Sequence, residues 1–260
     1  VRGPVCHQKA LSSWKIPDEV EVISEVLKSN QYQVYLVGGS VRDFLMGRKI
    51  KDYDLVTDAK TAELEKMFPN SLEVGKQFGI VKVPVPGDIV EIATFREDGS
   101  YSDGRRPDSV TEGTMKTDVQ RRDFTVNGLL YNINTHEVID HVGGMDDMKN
   151  RVIRCIGDAN SRFQEDYLRM LRALRFATAL DFSLEKNTFE AVKANSAQLT
   201  KISKERVISE ISRIFDNPNF IKKTNLFAQS KILNYSFETI SDEVHRQILE
   251  KISRQKKPVN

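Results

Sequence analysis

The chain has little cysteine, no long apolar run and almost no net charge. Two cysteines in 260 residues, Cys6 and Cys155, are too few for a disulfide framework, and neither stands in a metal-ligand spacing. A reducing, cytoplasmic setting is the simplest expectation. No stretch approaches the ~20 apolar residues needed to span a bilayer. The N-terminus lacks the apolar core of a signal peptide, and the chain begins at Val1 rather than Met, so its natural start has been trimmed or lies upstream. The 39 basic and 37 acidic residues leave a net charge of +2. Overall charge therefore carries no nucleic-acid footprint, and any basic surface must be local. There is no internal repeat and no low-complexity segment. What the chain does have is length: 260 residues, 39% hydrophobic and 29% charged, are enough for one large domain or two smaller ones with a sizeable core.

The most informative stretch runs from Leu36 to Asp58, L-V-G-G-S-V-R-D-F-L-M-G-R-K-I-K-D-Y-D-L-V-T-D. It places a small-residue turn (Gly38, Gly39, Ser40) after an apolar strand, Val34 to Val37. A helix with Arg42 near its start follows, and then a second short strand with Asp52 and Asp54. Residues two apart on a strand face the same side, so the two carboxylates point together and Tyr53 points away. Like charges so close repel unless a cation lies between them. Hard oxygen ligands suit Mg²⁺, which binds one or two carboxylates together with substrate phosphates. A Gly-Gly-Ser turn offers free backbone N–H groups to a phosphate. A surface D-x-D beside a lysine is common by itself, but with this turn upstream the pair describes nucleotidyl transfer from a triphosphate. A two-metal site needs a further carboxylate from a neighbouring strand, and Glu91 in V-E-I is the best candidate; the alternative is an outward-facing strand residue.

Trp14 to Leu27 reads as an amphipathic helix with Pro17 and Asp18 near its start. Val34 to Val37, Asp54 to Thr57, Ile80 to Val85, Ile89 to Thr94 and Gly128 to Tyr131 read as strands, Thr61 to Phe68 as a helix, and Arg96 to Pro107 as a long loop. The character changes near Gly157. From Ser161 onward there is almost no strand signal. Arg162 to Leu180, Leu184 to Ala197, Ser203 to Phe215, Asn219 to Ala228 and Asp242 to Arg254 carry helical periodicity. The expected fold class is an α/β head over residues 1–157, followed by an all-helical region divided into 158–215 and 216–260. That last part is short and ends near Lys256, Lys257 and Pro258, as a truncated arm would.

Two further constellations carry chemistry. In Arg121 to Leu129, R-R-D-F-T-V-N-G-L, two arginines and Asp123 enter an apolar strand and would be costly if buried unpaired. They make sense beside a triphosphate or ribose; an exposed edge with a structural Arg–Asp pair is the alternative. In Glu165 to Phe176, E-D-Y-L-R-M-L-R-A-L-R-F, Asp166, Arg169, Arg172 and Arg175 recur every third residue, an inclined ridge on one helix. Alone, such a row is usually a solvated basic face. Beside a triphosphate site it gains a sharper meaning. An ionised Asp only accepts hydrogen bonds and Arg only donates, which matches the pairing edges of cytosine and adenine and mispairs with guanine and uracil. Asp166 and Arg169 are the candidate base-choosing pair, with Arg172 and Arg175 holding the base edge or the phosphates. Lys201, Lys204, Arg206, Lys222 and Lys223 are candidates to track RNA phosphates, or else solvated helix faces.

In this order the motifs resemble those of the class II tRNA nucleotidyltransferase and bacterial poly(A) polymerase family. The resemblance covers about Val34 to Ile214. It rests on G-G-S-V-R-D with D-Y-D, on R-R-D-F-T-V-N-G and on E-D-Y-L-R-M-L-R-A-L-R-F. It also rests on Asp140 to Arg151, similar to the family's hinge segment, and on K-E-R-V at Lys204 to Val207, similar to the start of a later neck helix. It implies a polymerase-β-like head with helical neck, body and tail. It also implies template-independent addition of C, C and A to the tRNA 3′ end from CTP and ATP, with Mg²⁺. Residue by residue, Asp52 and Asp54 match the metal-binding carboxylates and Gly39 and Arg42 the triphosphate turn. Arg122, with Asp123 and Asn127 beside it, matches the nucleotide-contacting motif, and Asp166, Arg169, Arg172 and Arg175 match the nucleotide-binding row.

Three departures stand beside the resemblance. Little chain remains after Phe215 for the long helical body and tail. The second motif ends Asn127-Gly128 where CCA-adding members usually have Asn-Ala. Val74 to Val83 lacks the arginine-rich strand associated with poly(A) polymerases and differs from the flexible loop associated with full CCA-adding enzymes. A CC-adding or A-adding specialist and a poly(A) polymerase therefore stand as alternatives on the same scaffold. A non-catalytic RNA-binding protein is a remoter one. Oligomeric state is not legible in the sequence.

Overall fold

The computed structural model describes residues 6–9, 14–72, 79–102, 104 and 107–239. The expected helix Asp242 to Arg254, the Lys256–Pro258 end, Val74 to Phe78 and part of the Arg96–Pro107 segment lie outside the described residues. The chain divides into two compact units, one of Val1–Gly99 with Asp108–Asp146 and one of Ser100–Pro107 with Asp147–Asn260. No helix among the described residues is long and apolar enough to cross a membrane.

The first unit runs β1 (Cys6–Lys9), α1 (Asp18–Ser29), β2 (Val34–Val37), α2 (Gly39–Leu45), β3 (Asp54–Thr57), α3 (Thr61–Met67), β4 (Ile80–Val85), β5 (Asp88–Thr94), β6 (Arg96–Asp98), β7 (Val110–Glu112), α4 (Met115–Gln120), β8 (Leu129–Asn132), β9 (Glu137–Asp140) and α5 (Gly144–Lys149), the last reaching the boundary between the units. Seven of these strands form one mixed sheet in the order β1-β9-β8-β2-β3-β5-β4. The central strand β2, V-Y-L-V, is buried along its whole length, as an unbroken apolar run at mid-sheet must be. Its end sets the register that matters: Val37 pairs with Asp54 of antiparallel β3 and with Leu130 of β8. Asp54 in turn lies beside Glu91 on parallel β5.

Strand positions follow the sequence pattern closely, and the differences have local causes. Asp52 and Tyr53 precede β3 rather than belonging to it, because ladder pairing with β2 begins at Asp54. Trp14 is not in the first helix, which starts at Asp18 behind Pro17. Its indole instead stacks on Phe44 with ring centroids 4.2 Å apart and tilts against Tyr131 at 4.8 Å. The start of the expected 96–107 loop is a short strand, β6, paired to β7. Gly128 closes a 3₁₀ turn, so β8 begins one residue later than its apolar run.

The second unit runs β10 (Val152–Ile153), α6 (Ala159–Glu165), α7 (Leu168–Ala179), β11 (Ser183–Leu184), α8 (Lys186–Asn195), α9 (Lys204–Phe215), α10 (Thr224–Ser230) and α11 (Ile232–Thr239). Two residues each of β10 and β11 pair in parallel, a small strand element that too short a pattern conceals. The region expected as one helix from Arg162 to Leu180 is two. Asp166 is extended, at φ −152° and ψ 104°, and breaks the helix there. A 3₁₀ turn over Ser196–Lys201 takes the place of the end of the helix expected to reach Ala197, and one over Pro218–Lys223 takes the place of the start of the helix expected from Asn219.

The hinge-like segment is anchored by one carboxylate. Asp140 is buried and accepts hydrogen bonds from the backbone N–H groups of Val142 (2.9 Å), Gly143 (2.8 Å) and Met145 (2.9 Å), which satisfies the open start of α5. Gly144 is required by space. A Cβ there would stand 2.2 Å from the Thr125 carbonyl oxygen, a contact only backbone movement can relieve. Gly144→Ala is therefore expected to lower the unfolding free energy by about 2–4 kcal/mol in urea titration. An unchanged midpoint would show that the approach of α5 to Thr125 is not tight.

Candidate active site

The turn after β2 depends on Gly38, whose φ of +76° favours glycine. Its N–H donates to the Leu129 carbonyl at 3.3 Å, which ties the turn to β8. The Ser40 hydroxyl is used internally, donating to the Val37 carbonyl at 3.1 Å. Arg42 is buried, only 8% exposed. Its Nη1 donates to Asn127 Oδ1 at 2.6 Å and its Nε to Asp43 Oδ1 at 2.9 Å. Asn127 Nδ2 then donates to Asp123 Oδ1 at 3.1 Å, and that oxygen also accepts the Phe124 N–H at 2.8 Å. The first two sequence motifs thus meet through an Arg42–Asn127–Asp123 chain.

Arg122 reaches the same turn. A Cβ on Gly38 would lie 3.7 Å from Arg122 Nη1. Arg122 Nη2 donates to Asp118 Oδ2 at 2.9 Å, while Arg121 Nε and Nη2 donate to Asp118 Oδ1 at 2.9 and 2.7 Å. Asp118 is fully buried. Burial works to raise its pKa, but the Arg122 and Arg121 guanidiniums outweigh that and hold the carboxyl below the usual carboxylate range. The Arg122 Nε is buried with no hydrogen-bond partner.

Asp54, Asp52 and Glu91 gather at one end of the sheet. Although Asp54 as a residue remains exposed, its carboxyl is pushed up to about 6, first by desolvation and then by the Glu91 charge, with Arg122 opposing and Asp52 adding to the rise. Glu91 itself is tied to Lys82 across β4 and β5, Nζ to Oε1 2.6 Å. Tyr53 turns toward Trp14, with ring centroids 6.3 Å apart. Among the described residues no group of three His, Cys, Asp or Glu side chains is arranged as a ready metal cage.

In the helical unit, Asp166 is not the first step of a helical row. Its extended backbone places it ahead of α7, where Oδ1 accepts the Leu168 N–H at 3.0 Å as a helix cap. Its Oδ2 accepts from Arg206 Nη2 of α9 at 2.7 Å. Arg169 donates to Glu165 and to the Arg162 carbonyl, and its guanidinium lies 6.0 Å from the Tyr101 ring centroid. Arg172 lies 5.4 Å from the Phe176 ring centroid. Arg175 lies 4.2 Å from the same centroid and donates to Glu210 Oε2 at 2.6 Å. Three residues that reasoning from sequence passed over hold the candidates in place, Asp118, Lys82 and Glu210, while Arg206, expected only as a phosphate-tracking cation or a solvated residue, grips Asp166. Asp118 was findable, standing three and four residues before Arg121 and Arg122 near a helix end. Glu210 and Arg206 belong to pairs spanning 35 and 40 residues, which no local pattern shows.

A mixed sheet bearing a glycine turn, converging guanidiniums and carboxylates at one strand end is a nucleotidyltransferase head. The poly A polymerase head domain matches residues 34–154, and the probable RNA and SrmB-binding site of polymerase A matches 181–243. The CCA-adding enzyme of Staphylococcus aureus (strain Newman) is 38% identical over 219 residues, 84% of this chain and 54% of that protein. The crystal structure of the Bacillus stearothermophilus CCA-adding enzyme in complex with CTP matches with a TM-score of 0.78 and 34% identity, covering 90% of this chain and 56% of the other. The Thermotoga maritima CCA-adding enzyme complexed with tRNA_CCA matches at 0.70 and 26% identity, covering 85% and 53%. The chain belongs to the tRNA nucleotidyltransferase and poly(A) polymerase family, and it spans about half the length of the curated relatives it matches.

Because Asp118 carries a lowered pKa, its stabilisation is present above the unfolded carboxylate value of ~4 and is lost as pH falls toward the folded value. Asp118→Asn is expected to cost about 2–3 kcal/mol near pH 7. The gap to the parent protein should narrow below about pH 4. Urea unfolding at a series of pH values checks this. A pH-independent gap would mean that the carboxyl's charge is not what holds the two guanidiniums.

Proposed function

We propose that this chain is the catalytic part of a tRNA nucleotidyltransferase that adds C and/or A to the tRNA 3′ end from CTP and ATP without a nucleic-acid template. The observation that carries the reading is the meeting of the Gly38–Gly39 turn, Arg122 and the carboxylates of Asp52 and Asp54 within one unit. The head, 1–157, is assigned the phosphate chemistry and 158–215 the choice of base, with 216–260 a helical body region. The relatives with bound CTP and tRNA support these substrates, and a cytoplasmic setting belongs with them.

Within the head, the Gly38–Gly39 turn and the Arg122 guanidinium receive the triphosphate. Arg42, already committed to Asn127 and Asp43, keeps the turn in register with the second motif. The donor set fits a hard divalent cation: the Asp54 carboxyl is raised first by desolvation and then by the neighbouring Glu91 and Asp52 charges, and a cation would neutralise that charge. Bound Mg²⁺ would neutralise phosphate charge and make the attacking hydroxyl more acidic. Glu91, salt-bridged to Lys82, braces this end of β5. In the helical unit, Asp166 offers an acceptor and Arg169 a donor to a pairing edge of cytosine or adenine. Arg172 and Arg175 complete the basic face. Taking up a base requires Asp166 to share its carboxylate with Arg206.

The test is single-nucleotide incorporation on a tRNA transcript. Asp52→Ala and Asp54→Ala are each expected to reduce the rate by at least about a hundredfold with the fold retained by circular dichroism. Near-parental rates in either variant would contradict the assignment. Arg169→Ala is expected to relax the preference for CTP and ATP over GTP and UTP more than it weakens triphosphate binding. An unchanged preference would remove Arg169 from base choice.

A further inference from the structure

Trp14 is the chain's single tryptophan, and it stands upstream of the 34–154 segment that defines the head domain. It is 6% exposed, and its indole N–H is buried with no hydrogen-bond partner among the described residues. Rings hold it instead. Phe44 of α2 lies parallel to it, 5° between planes and 4.2 Å between centroids. Tyr131 of β8 closes on it at 4.8 Å. Tyr131 is fully buried, and its hydroxyl and His136 Nδ1 share a hydrogen bond of 3.0 Å, so this wall belongs to the sheet. Tyr53 lies at 6.3 Å and 37°, within the range of a favourable ring pair.

These contacts join two parts of the site that the backbone connects loosely. Arg42 and Phe44 both belong to α2, whereas Asp52 and Tyr53 lie in the connection ahead of β3. Lys49 to Tyr53 form no helix or strand. Among the described residues, none of the backbone hydrogen bonds outside helices and strands involves them. Asp52 is exposed. A carboxylate on such a connection has many positions open to it, whereas a cation site needs its ligands held to within about 0.5 Å. The side chain between the two carboxylates is the one that is held: Tyr53 is half-buried, with its ring toward Trp14.

We propose that Trp14 is a positioning residue for the divalent-cation site. It packs Phe44 and Tyr53 together, and through Tyr53 it keeps Asp52 and Asp54 in the relation that a cation requires. This rests on the function proposed above, which places the cation at those two carboxylates. An aromatic core residue without this role would add stability only, and its loss would leave the cation affinity of the folded protein unchanged.

The experiment uses the whole 260-residue chain and Mn²⁺ as the spectroscopic stand-in for Mg²⁺, with binding followed by loss of the free ion's paramagnetic resonance signal. Asp54→Ala identifies the site. Trp14→Leu and Tyr53→Leu are each expected to weaken Mn²⁺ binding about tenfold, and the double variant also about tenfold, because both remove one shared contact. Trp14→Phe keeps a stacking ring and drops the unpaired N–H, and its affinity should stay within about twofold of the parent. Parental affinity in folded Trp14→Leu would overturn the proposal. Should Trp14→Leu fail to fold, parental affinity in Tyr53→Leu would do the same. Independent effects, about a hundredfold in the double variant, would also overturn it. Mn²⁺ binding indifferent to Asp54→Ala would overturn both this proposal and the placement of the cation. Binding requires no turnover. A parent chain that holds Mn²⁺ through Asp54 and Trp14 but adds no nucleotide would refute the proposed function and leave the role of Trp14 standing.

Discussion

A guanidinium group buried without an acceptor is among the costliest things a fold can contain, and the head is organised around avoiding that cost for Arg42, Arg121 and Arg122. Asp118 receives Arg121 and Arg122, and Asn127 and Asp43 receive Arg42. These partners come from α4, the 3₁₀ turn before β8 and α2, so satisfying the charges also fixes how the glycine turn sits against the second motif. The sheet register then determines what lies alongside. Because Val37 pairs with Asp54 and Asp54 with Glu91, the turn and the carboxylates emerge from the same end of neighbouring strands. Desolvation, and after it the charges of Glu91 and Asp52, push the Asp54 carboxyl up, and a cation is the natural means of relief for that charge.

The helical unit applies the same rule by another route. Its arginines do not stand as a solvated ridge. Arg169 is held by Glu165 and Arg175 by Glu210, while Asp166 is held by Arg206. Each candidate for base choice is thereby preorganised by a partner of opposite charge, and the break at Asp166 frees its carboxylate from the helix to act as cap and acceptor together. A charged group oriented in advance loses less entropy on meeting a ligand, which is how a small pocket can discriminate between bases without a template strand.

Much of this was legible in the sequence, and the remainder was hidden for identifiable reasons. The strands Val34–Val37 and Asp54–Thr57 coincide with their apolar runs because both lie inside the sheet, and Ile80–Val85 at the sheet edge keeps its bounds through the alternating burial of Val81 and Val83. The glycine turn and the pairing of D-Y-D with it were readable because they are local. Alternation puts Asp52 on β3 because it cannot show where ladder hydrogen bonds begin. Periodicity predicts an unbroken helix through Asp166 because it continues across a residue whose side chain competes for backbone N–H groups. The ties Arg42–Asn127, Arg175–Glu210 and Arg206–Asp166 span 85, 35 and 40 residues, and only the fold reveals them.

The most direct measurement is an incorporation assay with Mg²⁺ on three tRNA transcripts, ending before CCA, after C and after CC. Each is offered single nucleoside triphosphates and then CTP with ATP. Stepwise addition of C or A that arrests at a CCA end is the predicted result. One A added only to the CC-ended transcript would narrow the chain to an A-adding specialist, and long A tails would assign it to the poly(A) polymerases. No incorporation from any triphosphate on any transcript would contradict the account.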